Sequence, residues 1–146
     1  MKTEVRNLLG LAGVFVLLSA CSLSKKENAV KADDARLFYK EWKLVKMGTK
    51  NMKYEEGGEP ITLLLTFEPE NVSGFSGCNR YFGKFSTKKN RLSFKQMACT
   101  QMACPQQDMS LEDRYLQLLE KVNSFTMRND TLMLMKNDKV LLIFER

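Results

Sequence analysis

Ser110–Glu145 reads SLEDRYLQLLEKVNSFTMRNDTLMLMKNDKVLLIFE. Inside this stretch the apolar period changes once, and the change decides the fold class. Leu111, Tyr115, Leu118, Leu119 and Val122 recur at helical spacing. Ahead of them Ser110-Leu111-Glu112-Asp113 has the form of a capping box, the serine accepting from the backbone while the acid reaches back. Past Val122 the period falls to two. Ser124–Arg128, Thr131–Lys136 and Lys139–Glu145 read as strands, joined by Asn129-Asp130 and Asn137-Asp138. Such pairs suit hairpin turns with positive φ, so the strands form a meander. A single helix ahead of them should lay one face on the sheet.

Working outward, the same period of two recurs toward the N-terminus. Glu41 to Lys46 alternates as a strand with Trp42 and Leu44 on one face, and Ile61 to Phe67 is a strand ended by Pro69. Val72 to Phe85 holds four aromatics and three glycines and reads as strand, tight turn or bulge, strand. Arg91 to Met97 is a further strand, and Asn51 to Pro60 is a turn-rich loop. The expected fold is α+β: a strongly curved antiparallel sheet, a partial barrel of about seven or eight strands, with one helix packed on it. Met133 and Met135 share a strand face, where methionine is expected to fill the core.

The chain begins with a charged start, Lys2 and Arg6, and an apolar run from Leu8 to Ala20. That is a secretory leader, too short to span a bilayer. It ends in Leu18-Ser19-Ala20-Cys21, which resembles the bacterial lipobox, so Cys21 is the expected lipidation site. Ser22 in the next position points to the outer membrane under the enterobacterial sorting rule. The expected layout is therefore a leader over 1–20, a lipidated tether over 21–35 and one domain over 36–146. This places the protein in the cell envelope, held to a membrane through its N-terminal lipid.

The formal charge is +6, and no histidine occurs anywhere in the chain. The basic residues read as scattered over turns and strand ends, a solvated surface rather than a stripe, and no nucleic-acid partner is expected. Without histidine, Ser-His-Asp and Cys-His nucleophile activation and His-containing zinc sites are excluded. No enzyme activity, metal or cofactor is expected.

Two further stretches carry a resemblance. LTFEPENVSGFSGCNRYFGKF from Leu65 and RLSFKQMACTQMAC from Arg91 closely resemble the META-domain, HslJ-like family of envelope proteins. The family's strand tryptophan is matched by Trp42. Its Gly-x-x-Gly-Cys-Asn-x-aromatic-x-Gly core is matched by Gly74, Gly77, Cys78, Asn79, Tyr81 and Gly83, and its Thr-x-Met-Ala-Cys segment by Thr100, Met102, Ala103 and Cys104. Glu112, the helix and the closing hairpin fit as well. The resemblance implies a compact strand-rich domain without an enzyme activity, in proteins linked to envelope stress or antibiotic tolerance.

Read by themselves, these residues build a structural corner: Asn79 satisfies turn backbone, Gly77 and Gly83 permit bends, and no charged or convergent polar group is expected beside them. The resemblance also implies a Cys78–Cys104 disulfide, because its pattern covers those two cysteines and leaves Cys99 outside. Strand alternation and helix spacing both put Cys99 and Cys104 on different faces, against a bridge inside the QMACTQMAC repeat. Cys99 is then an odd free thiol.

The leading functional expectation is a membrane-anchored envelope lipoprotein that binds a protein partner. Two alternatives stand beside it: a pilotin-like carrier of a lipid or peptide in a barrel cavity, and a thiol redox protein using Cys99. A soft copper site from Met97, Cys99 and Met102 is disfavoured, since strand alternation does not converge those side chains.

Overall fold

The computed structural model describes residues 35–146. The leader, Cys21 and the tether as far as residue 34 lie outside the described residues. The described chain forms nine strands and one helix: β1 (Glu41–Met47), β2 (Lys50–Asn51), β3 (Thr62–Thr66), β4 (Asn71–Phe75), β5 (Arg80–Lys88), β6 (Arg91–Cys99), α1 (Gln106–Glu120), β7 (Ser124–Arg128), β8 (Thr131–Lys136) and β9 (Lys139–Glu145). All pairings are antiparallel within one sheet ordered β6-β5-β4-β3-β1-β9-β8-β7, with β2 folding back on β1. The fold is α+β. The stretch expected to be loop from Asn51 thus contributes a two-residue strand with Lys50.

Three register shifts bend the sheet. They fall at Val45 in β1, between the Phe82 and Lys84 pairings of β5 with β6, and at Leu141 in β9. A bulge inserts an unpaired residue and increases local twist, so a long ribbon curls toward itself. The edge strands β6 and β7 meet at one end, where Phe125 N donates to Asn90 O at 2.9 Å and Leu92 N to Asn123 O at 3.4 Å. Beyond that contact the sheet stays open. It is a partial barrel.

Helix α1 carries the chain from the end of β6 back to the start of β7, packing against β6 and β9. It buries Tyr115 and Leu119 among Trp42, Leu44, Leu63, Leu65, Tyr81 and Phe144. Edge contacts of Tyr115 with Tyr81 at 5.6 Å and with Phe144 at 6.5 Å tie helix, β5 and β9 together. The interior is packed with large side chains, and dispersion between them adds to the burial of their area.

Two expectations about local structure do not hold. The helix starts at Gln106 behind Pro105, one turn before Ser110, and has no side-chain cap. Proline serves there because a helix's first turn leaves its N–H groups unpaired anyway. Ser110 sits inside the helix and its hydroxyl donates to the carbonyl of Gln106 at 2.9 Å. Met133 and Met135 are half-buried on the outward face of β8, while Leu132 and Leu134 fill the core. In β8 the apolar run is continuous, so sequence alternation alone does not say which face turns inward.

At the N-terminus the chain joins the domain through Leu37 and Phe38, both buried. The Phe38 ring packs on Phe67 at 5.1 Å and on Phe85 of β5 at 5.8 Å. Trp42 Nε1 donates to Leu37 O at 3.1 Å, pinning this short segment to β1, and the Arg146 guanidinium lies 4.9 Å from the Trp42 ring.

Candidate functional site

The motif residues gather at the end of the β5–β6 ribbon away from its hairpin turn. The β4–β5 connection is a tight turn in which Ser76 N donates to Asn79 O at 2.9 Å. Gly77 holds φ +106° there, a conformation that L side chains rarely adopt. Cys78 next to it is bonded to Cys104, with Cα atoms 6.0 Å apart and a sequence separation of 26. The disulfide ties the turn to the segment that leads into α1.

Asn79 is the hub of the corner. Its Oδ1 accepts from the Thr100 hydroxyl and from Met102 N, both at 2.8 Å. Its Nδ2 donates to Glu112 Oε1 at 2.9 Å, and its backbone N donates to Glu112 Oε2 at 2.8 Å. Ser76, fully buried, places its hydroxyl against both Glu112 Oε2 and Asn79 O and shares one proton between them. Glu112 is 6 % exposed. A buried acid of this kind is tolerable only because internal donors replace its water.

This overturns the expectation that no charged group accompanies the Gly-Cys-Asn turn. Glu112 converges on it from the helix, 33 residues away in sequence. Sequence reasoning missed Ser76 and the function of Glu112. A signal was present: Glu112, Tyr115 and Leu119 follow one another at helical steps of three and four, so an acid stands on the inward stripe. Among the described residues no buried side-chain nitrogen or oxygen lacks a partner.

A second buried polar contact lies beside the corner. Tyr81 OH donates to Thr62 O at 2.8 Å, and the hydroxyls of Tyr81 and Tyr115 are 2.8 Å apart. Burial lifts the ionisation of both tyrosines above the ordinary range, Tyr81 well above it with Tyr115 adding to the effect. Gly74 makes this approach possible, since a Cβ there would lie 2.1 Å from Thr62 O. Gly83, at the register shift between β5 and β6, acts by space as well: a Cβ would lie 2.5 Å from the Met97 sulfur.

The remaining candidates are not brought together into a reactive group. Cys99 ends β6 across from Tyr81, half-buried against the core, and is free. Burial first, then the charges of Glu112 and Asp113, push its thiol upward, away from the thiolate that redox exchange needs. Met97 fills the gap left by Gly83, whereas the Met102 side chain is 63 % exposed, so Met97, Cys99 and Met102 do not converge. Cys21 lies outside the described residues.

The other end of the same ribbon is unlike the corner. Strand pairing sets Lys84 opposite Lys95 and Lys88 opposite Arg91, with Ser86 opposite Ser93 between them. The reading of scattered lysines is therefore wrong for this ribbon, because a two-residue turn at Lys89-Asn90 folds the cations into register.

A META domain model matches residues 35–146. The solved NMR structure of a protein from Burkholderia xenovorans is similar at 31 % identity and a TM-score of 0.61, over 77 % of this chain and 84 % of that one. A second NMR structure shares the fold at 21 % identity and a TM-score of 0.59, over 76 % of this chain and 92 % of that one. No curated protein matches the chain.

Proposed function

The chain belongs to the META-domain family, and from that premise we propose that it works as a lipid-anchored, non-catalytic binding protein of the bacterial envelope, with a role in envelope stress or antibiotic tolerance. One observation carries the reading: Leu18-Ser19-Ala20-Cys21 and a short polar stretch precede a domain whose motif residues are spent on one another. Two or three acyl chains on Cys21 make a stable anchor where one chain would give only marginal binding. The corner supports binding over reactivity, since the Glu112 oxygens and the Asn79 amide already have internal partners. Its rigidity suits a scaffold that presents an outer surface to a partner.

The test is the mass of the N-terminal tryptic peptide Cys21–Lys25 from the native protein. The expected product begins at Cys21 and carries a thioether-linked diacylglyceryl group. An unmodified Cys21 thiol, or cleavage at another bond, overturns the anchor.

A further inference from the structure

From Asn71 to Gln107 the chain contains six cationic residues, Arg80, Lys84, Lys88, Lys89, Arg91 and Lys95, and no Asp or Glu. The rest of the chain holds seventeen residues of each sign. The whole formal excess of +6 therefore resides in this one segment. Arg80 is paired with Glu59 and lies over the Phe75 ring. The other five have no ion-pair partner among the described residues.

The sheet gathers four of these five on one face. Phe82, Lys84, Ser86 and Lys88 alternate outward along β5, all exposed. Their cross-strand partners on β6 are Ala98, Lys95, Ser93 and Arg91. Like charges directly opposite each other destabilise a sheet, so two such pairs on one ribbon oppose folding and call for another explanation. Four residues of strand cover about 13 Å, so four cations share a strip about 13 Å long and two strands wide. The hydroxyls of Ser86 and Ser93, 3.0 Å apart, lie between them. Two shallow concavities flank the strip. One of about 400 Å³ is lined by Ser86, Lys88, Arg91 and Ser93, and one of about 510 Å³ by Phe82, Lys84, Asn71 and Gln96. Phe82, 56 % exposed, supplies an apolar ring at the strip's end.

The path of the chain bears on what covers this face. Phe38 packs on Phe85 from the inner face of β5, opposite Lys84 and Ser86, so the first described residues lie at the strip's level along the ribbon. Cys21 lies 17 residues before Phe38. Seventeen residues reach at most about 60 Å even when fully extended. An anchor at Cys21 thus keeps this end of the domain within that reach of the bilayer. We propose that the outer face of the β5–β6 hairpin docks on anionic phospholipid headgroups, seating the domain flat against the membrane that holds its anchor. The lysines and Arg91 meet headgroup phosphates, the serine hydroxyls donate to them, and Phe82 enters the interfacial layer. The seating on the anchor's own membrane rests on the lipid-anchor reading, while the strip's affinity for anionic lipid is measured without the anchor.

The experiment uses the chain from Ser22 onward, which lacks leader and acyl chains and keeps the whole core from Leu37 to Phe144. It is sedimented with phosphatidylethanolamine vesicles containing either phosphatidylglycerol or phosphatidylcholine. Binding is expected only with phosphatidylglycerol and should fade as salt rises. Each strip lysine contributes about five-fold, so Lys84→Gln/Lys88→Gln/Lys95→Gln lowers partitioning roughly a hundred-fold. Lys121→Gln/Lys136→Gln/Lys139→Gln removes the same charge elsewhere and should leave it within a few-fold. Matching thermal melts for the two variants show that neither loss is one of folding. Equal loss in both variants, or no preference for phosphatidylglycerol, overturns the docking surface. So does retention on polyglutamate under conditions where the anionic vesicles are not bound, which assigns the strip to an acidic polypeptide. An acylated Cys21 with an indifferent strip sinks this inference alone, and a lipid-binding strip with an unmodified Cys21 sinks only the anchor.

Discussion

The two ends of the β5–β6 ribbon contrast in how they treat polar groups. At the corner, Asn79, Ser76, Thr100 and Glu112 are drawn from three places in the chain and satisfy one another. At the hairpin, Lys84, Lys88, Arg91 and Lys95 are set side by side and exposed, without an ion pair among the described residues. Polar groups that consume each other hold a shape. Polar groups that repel one another spend some of that stability, which is the signature of a surface kept for something outside the domain. The corner should therefore fail when edited, and the hairpin should not.

The largest effect is expected at the hub. Asn79→Ala removes a donor from Glu112 and the acceptor of both Thr100 and Met102. Leaving a buried acid and two donors short should cost about 3–5 kcal/mol. Glu112→Ala should cost a similar amount, and the double variant should cost far less than the sum, because both edits empty the same network. Urea melts of the four proteins check this. Additive losses would mean the corner is not a unit.

Next comes the disulfide. Cys78→Ser/Cys104→Ser releases a loop of 26 residues and should cost about 3 kcal/mol through the entropy of the unfolded chain. The slope of the urea transition should change too, since the unfolded ensemble expands. Cys99 offers an internal contrast. Its thiol is held upward by burial and by Glu112 and Asp113, so it should alkylate more slowly than free cysteine at neutral pH. Fast and selective alkylation would reopen the redox reading.

The tyrosine pair beside the corner gives a smaller, pH-dependent effect. Burial raises both tyrosines, so their contribution is fully present below the ordinary value of about 10 and is lost as pH climbs through the raised values. Stability measured from pH 7 to pH 12 should fall on the alkaline side. Tyr115→Phe should cost about 1 kcal/mol at neutral pH by removing its hydroxyl from the pair with Tyr81, and should make the alkaline limb shallower. An unchanged limb would place the alkaline transition elsewhere.

The same contrast explains what the sequence could reveal. Strands, turns and meander are local properties, and Asn129 and Asn137 do carry the positive φ that their turn positions suggested. The helix start was obscured because Gln106, Gln107, Asp108 and Met109 show no apolar period, while Ser110 imitates a cap. The corner was only partly legible. Its glycines stand close to Cys78 and Asn79 in sequence, but Ser76 and Glu112 meet across 36 residues, and only the fold makes them neighbours. The cationic strip was hidden by one unassigned turn. Once Lys89-Asn90 is taken as a two-residue hairpin turn, Lys88 must face Arg91 and Lys84 must face Lys95. Lys89 adopts φ 57° there, where Asn would be the usual choice, and that substitution masked the turn.

The smallest expected effect is also the one with an unusual sign. Lys95→Glu places an acid opposite Lys84, converting a repulsive cross-strand pair into an attractive one. Both side chains are exposed, so the gain should be only about 0.5 kcal/mol, and salt should shrink it. Added sodium chloride should stabilise the unaltered protein slightly, by screening the Lys84/Lys95 and Lys88/Arg91 pairs, and should help the variant less. Thermal melts at low and high salt read both effects. A variant that loses stability would mean that Lys95 holds the ribbon together, and the hairpin would then join the corner as structure.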